Sequence, residues 1–469
     1  MRSCRVGVAD LNHEPKEDDL TTLGIDLAVH AAHVAPLADD RGQVVWTRRR
    51  FHNCHDELLA VSDAAGPPGE LTVVMEPTRN VWVIVAAHFR AIGAKVVLVA
   101  PEQSADLRRY FNKHTKNDRL DSLMLARIPL LHPEGLSPVS DLGPADALKR
   151  AVRRRVKLVE SRLACRQRLD AMLDLLGPSY AEVLGVRATK TALEILEHYA
   201  NPYNLRRLGL RRLTDLVRRT SAGHWNADHA TRLLAAANEA IMLWADGGID
   251  FDELAWDLAS EIRVLRQLDD ETSRLDARIA TLYDNADPKG IIRSAPGIGD
   301  VLAGGILGRL GDANRFANLA AVRSFSGMVP GVNQSGFSEM TPTITKQGDP
   351  GLRRDLWFAA DLARHQDPQL AAKYYRLIVD RRLHHFSAVC HIATTLLTRI
   401  GACWRNDQLC IVRDIDGRPV DREQARAIIA ERYTIPPQAR RRPTHDERAN
   451  EKGVDKRSAL ARSTQTLRA

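Results

Sequence analysis

The sequence is short of three features, and each shortage excludes a class of protein. Only six cysteines occur among its 469 residues, none of them in a C-x-x-C pair, which argues against a disulfide framework and indicates a reducing compartment. The N-terminus is polar and acidic and has no apolar signal segment. The longest apolar run, Val81–Phe89, is interrupted by His88 and is too short to cross a bilayer. We therefore expect a soluble intracellular protein.

Cysteine and histidine residues near the C-terminus raise the question of a zinc site. Cys390 and His391 are adjacent, and Cys403 and Cys410 follow them. These spacings fit no common zinc-ligand pattern, so buried thiols are the better prediction.

Charge is abundant but only slightly unbalanced, with 67 Lys and Arg against 59 Asp and Glu. The excess is concentrated in two blocks. Nine Lys or Arg and one acid lie between Leu148 and Leu169, and six Arg and one acid lie between Leu205 and Arg219. Such blocks suit a nucleic-acid phosphate backbone, although a solvated helix face explains either block alone about as well. The candidate phosphate contacts in the first block are Arg153, Arg154 and Arg155.

The order of predicted elements indicates an α/β domain after a loose polar leader over residues 1–20. Apolar patterning predicts three strands, with a turn at Asp39–Gly42, and then alternating helices and strands. A three-strand meander followed by this alternation is the order of the ribonuclease H-like (RuvC-like) fold, here over residues 21–135. The predicted strands are Thr22–Leu27, Val29–Leu37, Gln43–Phe51, Leu71–Met75 and Lys95–Val99, and the predicted helices are His55–Ala65, Val81–Ile92 and Asn117–Leu130.

The middle of the chain, residues 144–288, is predicted to be helical. Apolar residues recur at helical spacing from Leu148 to Leu176 and from Leu258 to Leu282. These two segments could pair as an antiparallel coiled coil, with Ser179–Gly248 inserted as a small helical lobe. Two ordinary amphipathic helices packed in a bundle are an equally good interpretation.

A mostly helical C-terminal unit is predicted over residues 289–435, followed by a disordered basic tail over residues 436–469. The Gly-rich segment Ser294–Gly299 resembles a helix-hairpin-helix turn, whose backbone N–H groups can bind a DNA phosphate. A plain turn is the alternative. The segment Gly331–Asp349 contains Ser335, which on its residue pattern alone is a turn serine. Candidate phosphate contacts, or else the solvated start of a helix, are Lys346, Arg353 and Arg354.

Four carboxylates form the strongest constellation in the sequence. Asp26 lies inside the first predicted strand, where a charge costs free energy unless it is paired or metal-bound. Glu76 closes the fourth strand, and Asp118 and Asp121 share one face near the start of the last helix. These elements converge on one edge of a ribonuclease H-like sheet, and four carboxylates cannot all stay ionised together without cations. The set predicts one or two Mg²⁺ ions and phosphoryl transfer, although a helix-terminal Asp118 or a surface Glu76 is unremarkable alone.

Taken together, these motifs resemble those of the DEDD transposases of the insertion-sequence-110 family. The resemblance spans roughly Leu23–Arg399, which is most of the chain. Six motifs carry it in family order: Gly24–Asp26, Met75–Thr78, Lys116–Asp121, Ala295–Gly299, Gln334–Gly336 and Lys346–Arg354.

The resemblance implies a fold and an activity. Family members join a RuvC-like domain to a C-terminal transposase domain through a coiled coil, and act as DNA transposases or site-specific recombinases in the prokaryotic cytoplasm. By resemblance, the four acids bind Mg²⁺ and Ser335 is the nucleophile that forms a covalent phosphoserine link to DNA. A structured guide RNA from the element itself pairs with target and donor DNA. Protomers form a homo-oligomer, a dimer or a tetramer in the synaptic complex, with composite sites.

Two other functions remain open. A phosphotransferase of the actin and sugar-kinase type also opens with the pattern of Gly24–Asp26, but it needs glycine-rich phosphate turns, and His30–Val34 offers no glycine. A non-catalytic nucleic-acid-binding protein derived from a transposase is the second alternative, against which the intact acids and serine argue. An assay of DNA strand exchange separates both from the recombinase.

Overall fold

The computed structural model describes residues 20–101, 103–105, 118–131, 136–139, 142–185, 189–329, 344–346 and 348–440; for 118–121, 137, 144, 438 and 440 it describes the backbone alone. The chain divides into two units, Met1–Arg150 and Ala151–Ala469. The predicted leader up to residue 19 and the predicted tail from residue 441 lie outside the described residues.

The described part of the N-terminal unit contains a mixed β-sheet and the helices that cover it. Its strand order is β3-β2-β1-β4-β5-β6, with β1 antiparallel to β2 and parallel to β4. The meander followed by parallel strands confirms the predicted ribonuclease H-like sheet. The strands are β1 Thr21–Ile25, β2 His33–Ala38, β3 Val44–Phe51, β4 Leu71–Met75, β5 Lys95–Leu98 and β6 Ser137–Pro138, and the helices are α1 His55–Ala65, α2 Val81–Ala91 and α3 Asp118–Leu131.

Alternating side chains divide this sheet into two faces, each covered by helix. Leu23 and Val73 belong to the core that the sheet shares with α1 and α2. Val74 and Val97 pack on the opposite face with Leu125 of α3. Because β4 and β5 are covered on both faces, their sequences are mostly apolar, and for that reason they were predictable.

Strand β2 begins later than predicted, at His33 instead of Val29. The buried His33 ring accepts a hydrogen bond at Nδ1 from the Ala28 backbone N–H (3.1 Å), and its Nε2 lies 3.0 Å from Asn53 Oδ1. Burial lowers the pKa of His33, consistent with a neutral ring that donates from Nε2. These bonds hold the residues before His33 in a loop, which explains the late start of the strand.

Two long antiparallel helices begin the C-terminal unit, α4 Ala147–Asp174 and α9 Phe251–Ala286. Ion pairs join Arg154 to Glu271 and Arg168 to Glu261. Because the later residue of α4 pairs with the earlier residue of α9, the two helices run antiparallel. The four helices between them are α5 Pro178–Leu184, α6 Lys190–Tyr199, α7 Pro202–Thr220 and α8 Ala227–Leu243. One apolar core joins these four helices to the adjacent halves of α4 and α9, so this end of the pair is a helical bundle.

Seven further α-helices are described in the C-terminal unit, and α14 lies in its core. Among the described residues, α14 alone is long and apolar enough to cross a membrane, and the search for apolar runs in the sequence overlooked it. Eight of its residues, including Leu396 and Leu397, are buried within the unit, as expected for a core helix. The helices are α10 Asp300–Leu310, α11 Leu319–Ser326, α12 Pro350–Ala363, α13 Pro368–Tyr375, α14 His385–Arg405, α15 Arg422–Arg432 and α16 Pro437–Arg440.

Candidate active site

Two of the predicted carboxylates lie at the same edge of the sheet. Strand β1 ends at Ile25 and β4 ends at Met75, and these residues are register partners in a parallel pair. Asp26 and Glu76 are therefore the next residues on neighbouring strands, at the carboxyl ends of both. The alternation of side chains also assigns Asp26 to the face covered by α3, because Gly24, two residues earlier, lies against that helix.

Asp26 was predicted inside β1, and the structure places it directly after the strand. Its backbone N–H donates to the carbonyl oxygen of Val34 (2.9 Å), and the Val34 N–H donates back to the Asp26 carbonyl oxygen (3.0 Å). This bridge continues the antiparallel pairing with β2 by one step. The backbone of Asp26 is thus fixed although the strand has ended.

Helix α3 brings its first turn to the same edge. At Gly24 the helix lies so close that a Cβ would be 2.3 Å from the backbone nitrogen of Ala126, so only glycine fits there. Near the other end of α3, Arg127 Nε donates to the carbonyl oxygen of Gly42 (3.2 Å), in the turn between β2 and β3. Since that turn lies beside the start of β1, α3 runs antiparallel to β1 and begins at the edge that carries Asp26.

Asp118 and Asp121 occupy the first turn of α3. Their backbone positions therefore lie at the edge where Asp26 and Glu76 follow the strands, and their side chains are outside the described part of the structure. The three elements that were expected to converge do so.

Ser104 is a residue at this edge that the sequence analysis missed. Its hydroxyl is buried, and its Oγ lies 2.6 Å from Glu76 Oε2, to which it donates, and 3.0 Å from the carbonyl oxygen of Pro101. The hydrogen bond orients the Glu76 carboxylate. A small polar residue shortly after the apolar strand β5 was the only signal in the sequence.

The chemistry of these donors fits a divalent cation. Asp26 and Glu76 supply the hard carboxylate oxygens that Mg²⁺ prefers, and both side chains are only half-buried. The contact described for Glu76 comes from a neutral hydroxyl. Elsewhere in the chain, the buried Asp355 and Asp367 are bound by guanidinium groups. At this edge, Glu76 therefore offers carboxylate charge to a cation.

Ser335 belongs to a segment outside the described residues, but the two ends of that segment are held together. The Thr345 N–H donates to the carbonyl oxygen of Val329 (2.9 Å), and the Lys346 N–H donates to that of Gly327 (3.1 Å). The described residues on the two sides of this segment therefore lie next to each other.

The predicted phosphate contacts beside this segment differ in accessibility. Arg353 Nη1 donates to the carbonyl oxygens of Ser326 (3.2 Å) and Gly348 (2.9 Å), which lie on either side of the segment. Arg354 binds the carboxylate of the following residue through Nε and Nη2. Lys346 is exposed and has a left-handed backbone, with φ of 57°. Of the three, Lys346 is therefore the most available to a phosphate.

A buried ion network supports helix α12, which follows the serine segment. Arg309 is 8% exposed; its Nη1 lies 2.7 Å from Asp349 Oδ1 and its Nε 3.4 Å from Asp355 Oδ2. A Cβ at Gly351 would be 2.1 Å from the guanidinium carbon, so a side chain there would displace Arg309 from these ion pairs. Burial raises the pKa of Asp355, against the opposing effect of the neighbouring guanidinium groups. Burial also opposes ionisation of Asp349, but the Leu352 N–H and Arg309 outweigh it and lower the pKa of Asp349.

Four of the nine Lys and Arg in the first basic block form ion pairs with acids of α9. Arg154 Nη2 lies 3.1 Å from Glu271 Oε1, and Arg155 forms a forked pair with Asp276, with Nη2 3.2 Å from Oδ2. Arg153 is exposed. The acids were missed because they lie 117 and 121 residues further along the chain. The same pattern continues in the pairs Arg162 with Asp269 and Arg168 with Glu261.

The Gly-rich turn before α10 packs inside the unit. The Gly297 N–H donates to Gln366 Oε1 (2.9 Å). A Cβ at Gly297 would be 2.3 Å from the carbonyl oxygen of Ala359 in α12. Packing alone thus requires this glycine, and its N–H already has a partner within the protein.

Comparison with known proteins finds a transposase family model for each of the two units. A family model described as a transposase, of the DEDD type from IS110 elements, matches residues 23–178. A model described as "Transposase IS116/IS110/IS902 family" matches residues 289–376. The first match contains all four candidate carboxylates, and the second contains Ser335 and helix α12.

Two relatives match over most of their length. The chain is 25% identical over 402 residues to an uncharacterized 43.6 kDa protein of insertion element IS110 from Streptomyces coelicolor, covering 83% of this chain and 95% of that protein. It is 24% identical over 398 residues to an uncharacterized 44.8 kDa protein of insertion element IS116 from Streptomyces clavuligerus, covering 83% and 96%.

DEDD transposase domains typically use divalent metal ions, and a transposase binds DNA. The order of the two family matches agrees with the fold, a ribonuclease H-like sheet followed by a largely helical remainder. The chain therefore belongs to the IS110/IS116 family of transposases, which are phosphoryl-transfer enzymes, with a DEDD domain first and a second transposase domain after it.

Proposed function

We propose that this transposase cleaves and rejoins DNA of its own insertion sequence through a covalent intermediate on Ser335. The observation that supports this most is the position of Asp26 and Glu76 at matching ends of β1 and β4, with the first turn of α3 at the same edge. Such an edge can present carboxylates to a cation and a phosphate together. The proposed domains are RuvC-like over residues 21–135, a coiled coil with an inserted lobe over 144–288, and the serine domain over 289–435.

The metal of this proposal is Mg²⁺, and its ligands are Asp26, Glu76, Asp118 and Asp121. Bound there, Mg²⁺ supplies positive charge that polarises a phosphate oxygen and offsets the repulsion among the carboxylates. Ser104 keeps the Glu76 carboxylate in one orientation through its hydrogen bond. The bridge to Val34 keeps the backbone of Asp26 in place.

Ser335 supplies the nucleophile. Its Oγ forms a bond to the DNA phosphorus while the bond from phosphorus to one sugar oxygen breaks. The serine proton passes to solvent, and the departing sugar oxygen takes up a proton. The phosphoserine ester conserves the energy of the broken bond, so a sugar hydroxyl of a second strand can displace Ser335 without ATP. Because a hydroxyl is a weak nucleophile at neutral pH, Ser335 must reach a carboxylate edge, in its own protomer or a partner.

The remaining parts of the proposal concern partners. A structured RNA from the element pairs with target and donor DNA, and the protein acts as a homodimer that becomes a tetramer in the synaptic complex. The family resemblance supports both. Of the candidate phosphate contacts, Arg153, Arg154, Lys346 and Arg354 are exposed. Arg154 and Arg354, like Arg155 and Arg353, have partners within the protein.

Reconstitution with the full chain tests the proposal. The reaction contains DNA with the element ends, target DNA and RNA transcribed from the DNA that flanks the gene, in Mg²⁺ or in EDTA. We expect recombinant DNA only with Mg²⁺, and only when the RNA is present. DNA binding without any cleavage would favour the non-catalytic binding protein. Consumption of ATP without DNA cleavage would favour the phosphotransferase.

A further inference from the structure

The arginines of α7 differ from those of α4 in their surroundings. All six are exposed, and within the described part of the chain none of them forms an ion pair with an acid. On α4, by contrast, four arginines are bound by acids of α9. The second basic block thus keeps its positive charge available to a partner. Its arginines are Arg206, Arg207, Arg211, Arg212, Arg218 and Arg219.

A break in α7 gives part of this charge a concave shape. Gly209 interrupts the helix with φ of 70° and ψ of 165°, a backbone that glycine adopts readily. An open cavity of about 700 Å³ lies at the break. Tyr199 and Leu208, which precede the break, line it together with the arginines that follow. The break therefore sets an aromatic ring and an apolar side chain beside a charged wall.

The charged wall has a regular spacing. Arg212, Arg218 and Arg219 line the cavity with one acid, Asp215. Arg211 precedes Arg218 by seven residues, as Arg212 precedes Arg219, which corresponds to two helical turns or about 10.5 Å along the axis. Two neighbouring rows of guanidinium groups therefore follow this face of the helix. Guanidinium groups bind phosphate oxygens through two parallel N–H donors, so such rows suit a chain of phosphates.

We propose that the α7 arginine surface, defined as Arg211, Arg212, Arg218 and Arg219, binds the phosphodiester backbone of a nucleic acid. This proposal rests on the proposed function in one respect: the phosphates that bind the surface are taken to be those of a nucleic acid. It assigns a binding role to the helices between α4 and α9. The phosphates could belong to element DNA or to the guide RNA, and the experiment below separates these sources.

The test uses the full chain and a matched pair of triple variants. The first variant is Arg212→Gln, Arg218→Gln and Arg219→Gln. The control is Arg263→Gln, Arg274→Gln and Arg278→Gln, three exposed arginines of α9 that also form no ion pair within the described residues. Each variant lowers the formal charge by three, so a difference between them reports position instead of total charge. Binding is measured at several salt concentrations with a DNA duplex, with a structured RNA and with phosphatidylserine vesicles.

We expect the α7 variant to lose affinity and to show a shallower slope of log K against log salt. For duplex DNA the slope should change by about 2 to 3, since each lost phosphate contact contributes about 0.9. The control should keep the parent slope. Loss confined to the duplex identifies DNA as the ligand, and loss confined to the RNA identifies the RNA.

Two results would overturn the proposal: an α7 variant that binds like the control, or an equal loss of binding to the vesicles, which would make the surface a membrane contact. Circular dichroism of both variants checks that they fold. The test is independent of catalysis, because it measures binding alone and requires no DNA cleavage. Failure of strand exchange by the parent protein would remove the proposed function and leave this result standing.

Discussion

The two units of this transposase surround their carboxylates in opposite ways. At the sheet edge of the N-terminal unit, Glu76 is half-buried and accepts a hydrogen bond from the neutral hydroxyl of Ser104. In the C-terminal unit, the buried Asp355 lies between Arg309 and Arg354. Burial of a charge costs several kcal/mol, which a guanidinium partner offsets. The partners thus distinguish the carboxylate that we propose serves chemistry from those that serve stability, although the residue types are similar.

Asp26→Asn should have the largest effect on function. We expect DNA cleavage in Mg²⁺ to fall below detection, because the substitution removes an anionic ligand from the sheet edge. The free energy of unfolding should change by no more than about 1 kcal/mol. The control is Asp40→Asn, an exposed acid in the turn at the opposite edge, which should cleave at the parent rate. Full strand exchange by Asp26→Asn would remove the carboxylate edge from the account.

Arg309→Met should mainly affect stability, with a large decrease in the free energy of unfolding. Removal of one partner from a buried ion pair leaves the other charge uncompensated and costs about 3–5 kcal/mol. Urea denaturation of the full chain, followed by circular dichroism, measures this loss. Arg278→Met, an exposed arginine of α9, serves as the control and should cost about 0.5 kcal/mol or less. A loss from Arg309→Met no larger than the control's would show that the network does not stabilise the unit.

Ser104→Ala should have an intermediate effect, on metal affinity. A lost hydrogen bond to a metal ligand typically weakens binding or activity about 10- to 100-fold. We expect the Mg²⁺ concentration for half-maximal cleavage to rise by about that factor while the fold is retained. Ser62→Ala, a buried serine in α1 whose hydroxyl donates to the Leu59 carbonyl, is the control. An unchanged Mg²⁺ dependence would mean that Ser104 does not position Glu76.

The smallest effect concerns the pH dependence of stability. Since the folded protein lowers the pKa of Asp349, the contribution of this carboxylate is complete above the unfolded pKa of about 4 and is lost as the pH falls through the folded value. Asp349→Asn, which can still cap α12, should show a flatter decline in acid. The raised pKa values of Asp355 and Asp367 act in the opposite direction. Both proteins share the shift of Asp367, whereas Asp349→Asn also removes the smallest of the causes that act on the pKa of Asp355. Parallel stability curves for parent and variant would contradict the assignment.

Patterns within a short window predicted most of the sheet. Strands β4 and β5 were evident because they are covered on both faces, and Asp26 and Glu76 stood out because acids rarely follow such runs. The start of β2 was wrong because His33 bonds to Asn53, 20 residues away. The pairing of Arg155 with Asp276 could not be predicted either, because the two residues are 121 positions apart. Short windows do not contain these partners.

Two further features could not be read from periodicity. The apolar pattern of α7 continues across Gly209, although the helix breaks there. Arg309 sits near the end of an apolar helix, and its partners became known only once α12 was placed beside it. The glycines that allow these contacts are identifiable only after the elements have been packed, since a glycine in sequence marks a turn as readily as a close approach.

The most direct test of the central claim is capture of the covalent intermediate on Ser335. A stalled reaction in Mg²⁺ should contain protein joined to DNA that survives denaturant, and peptide mapping should place the phosphate on Ser335. Ser335→Ala should bind nucleic acid and form no adduct, and Asp26→Asn should abolish the adduct. Ser338→Ala, which removes the other serine of the same segment, should retain it. Cleavage by the parent that leaves only free DNA ends, with no effect of Ser335→Ala, would contradict the account, because water would then be the nucleophile.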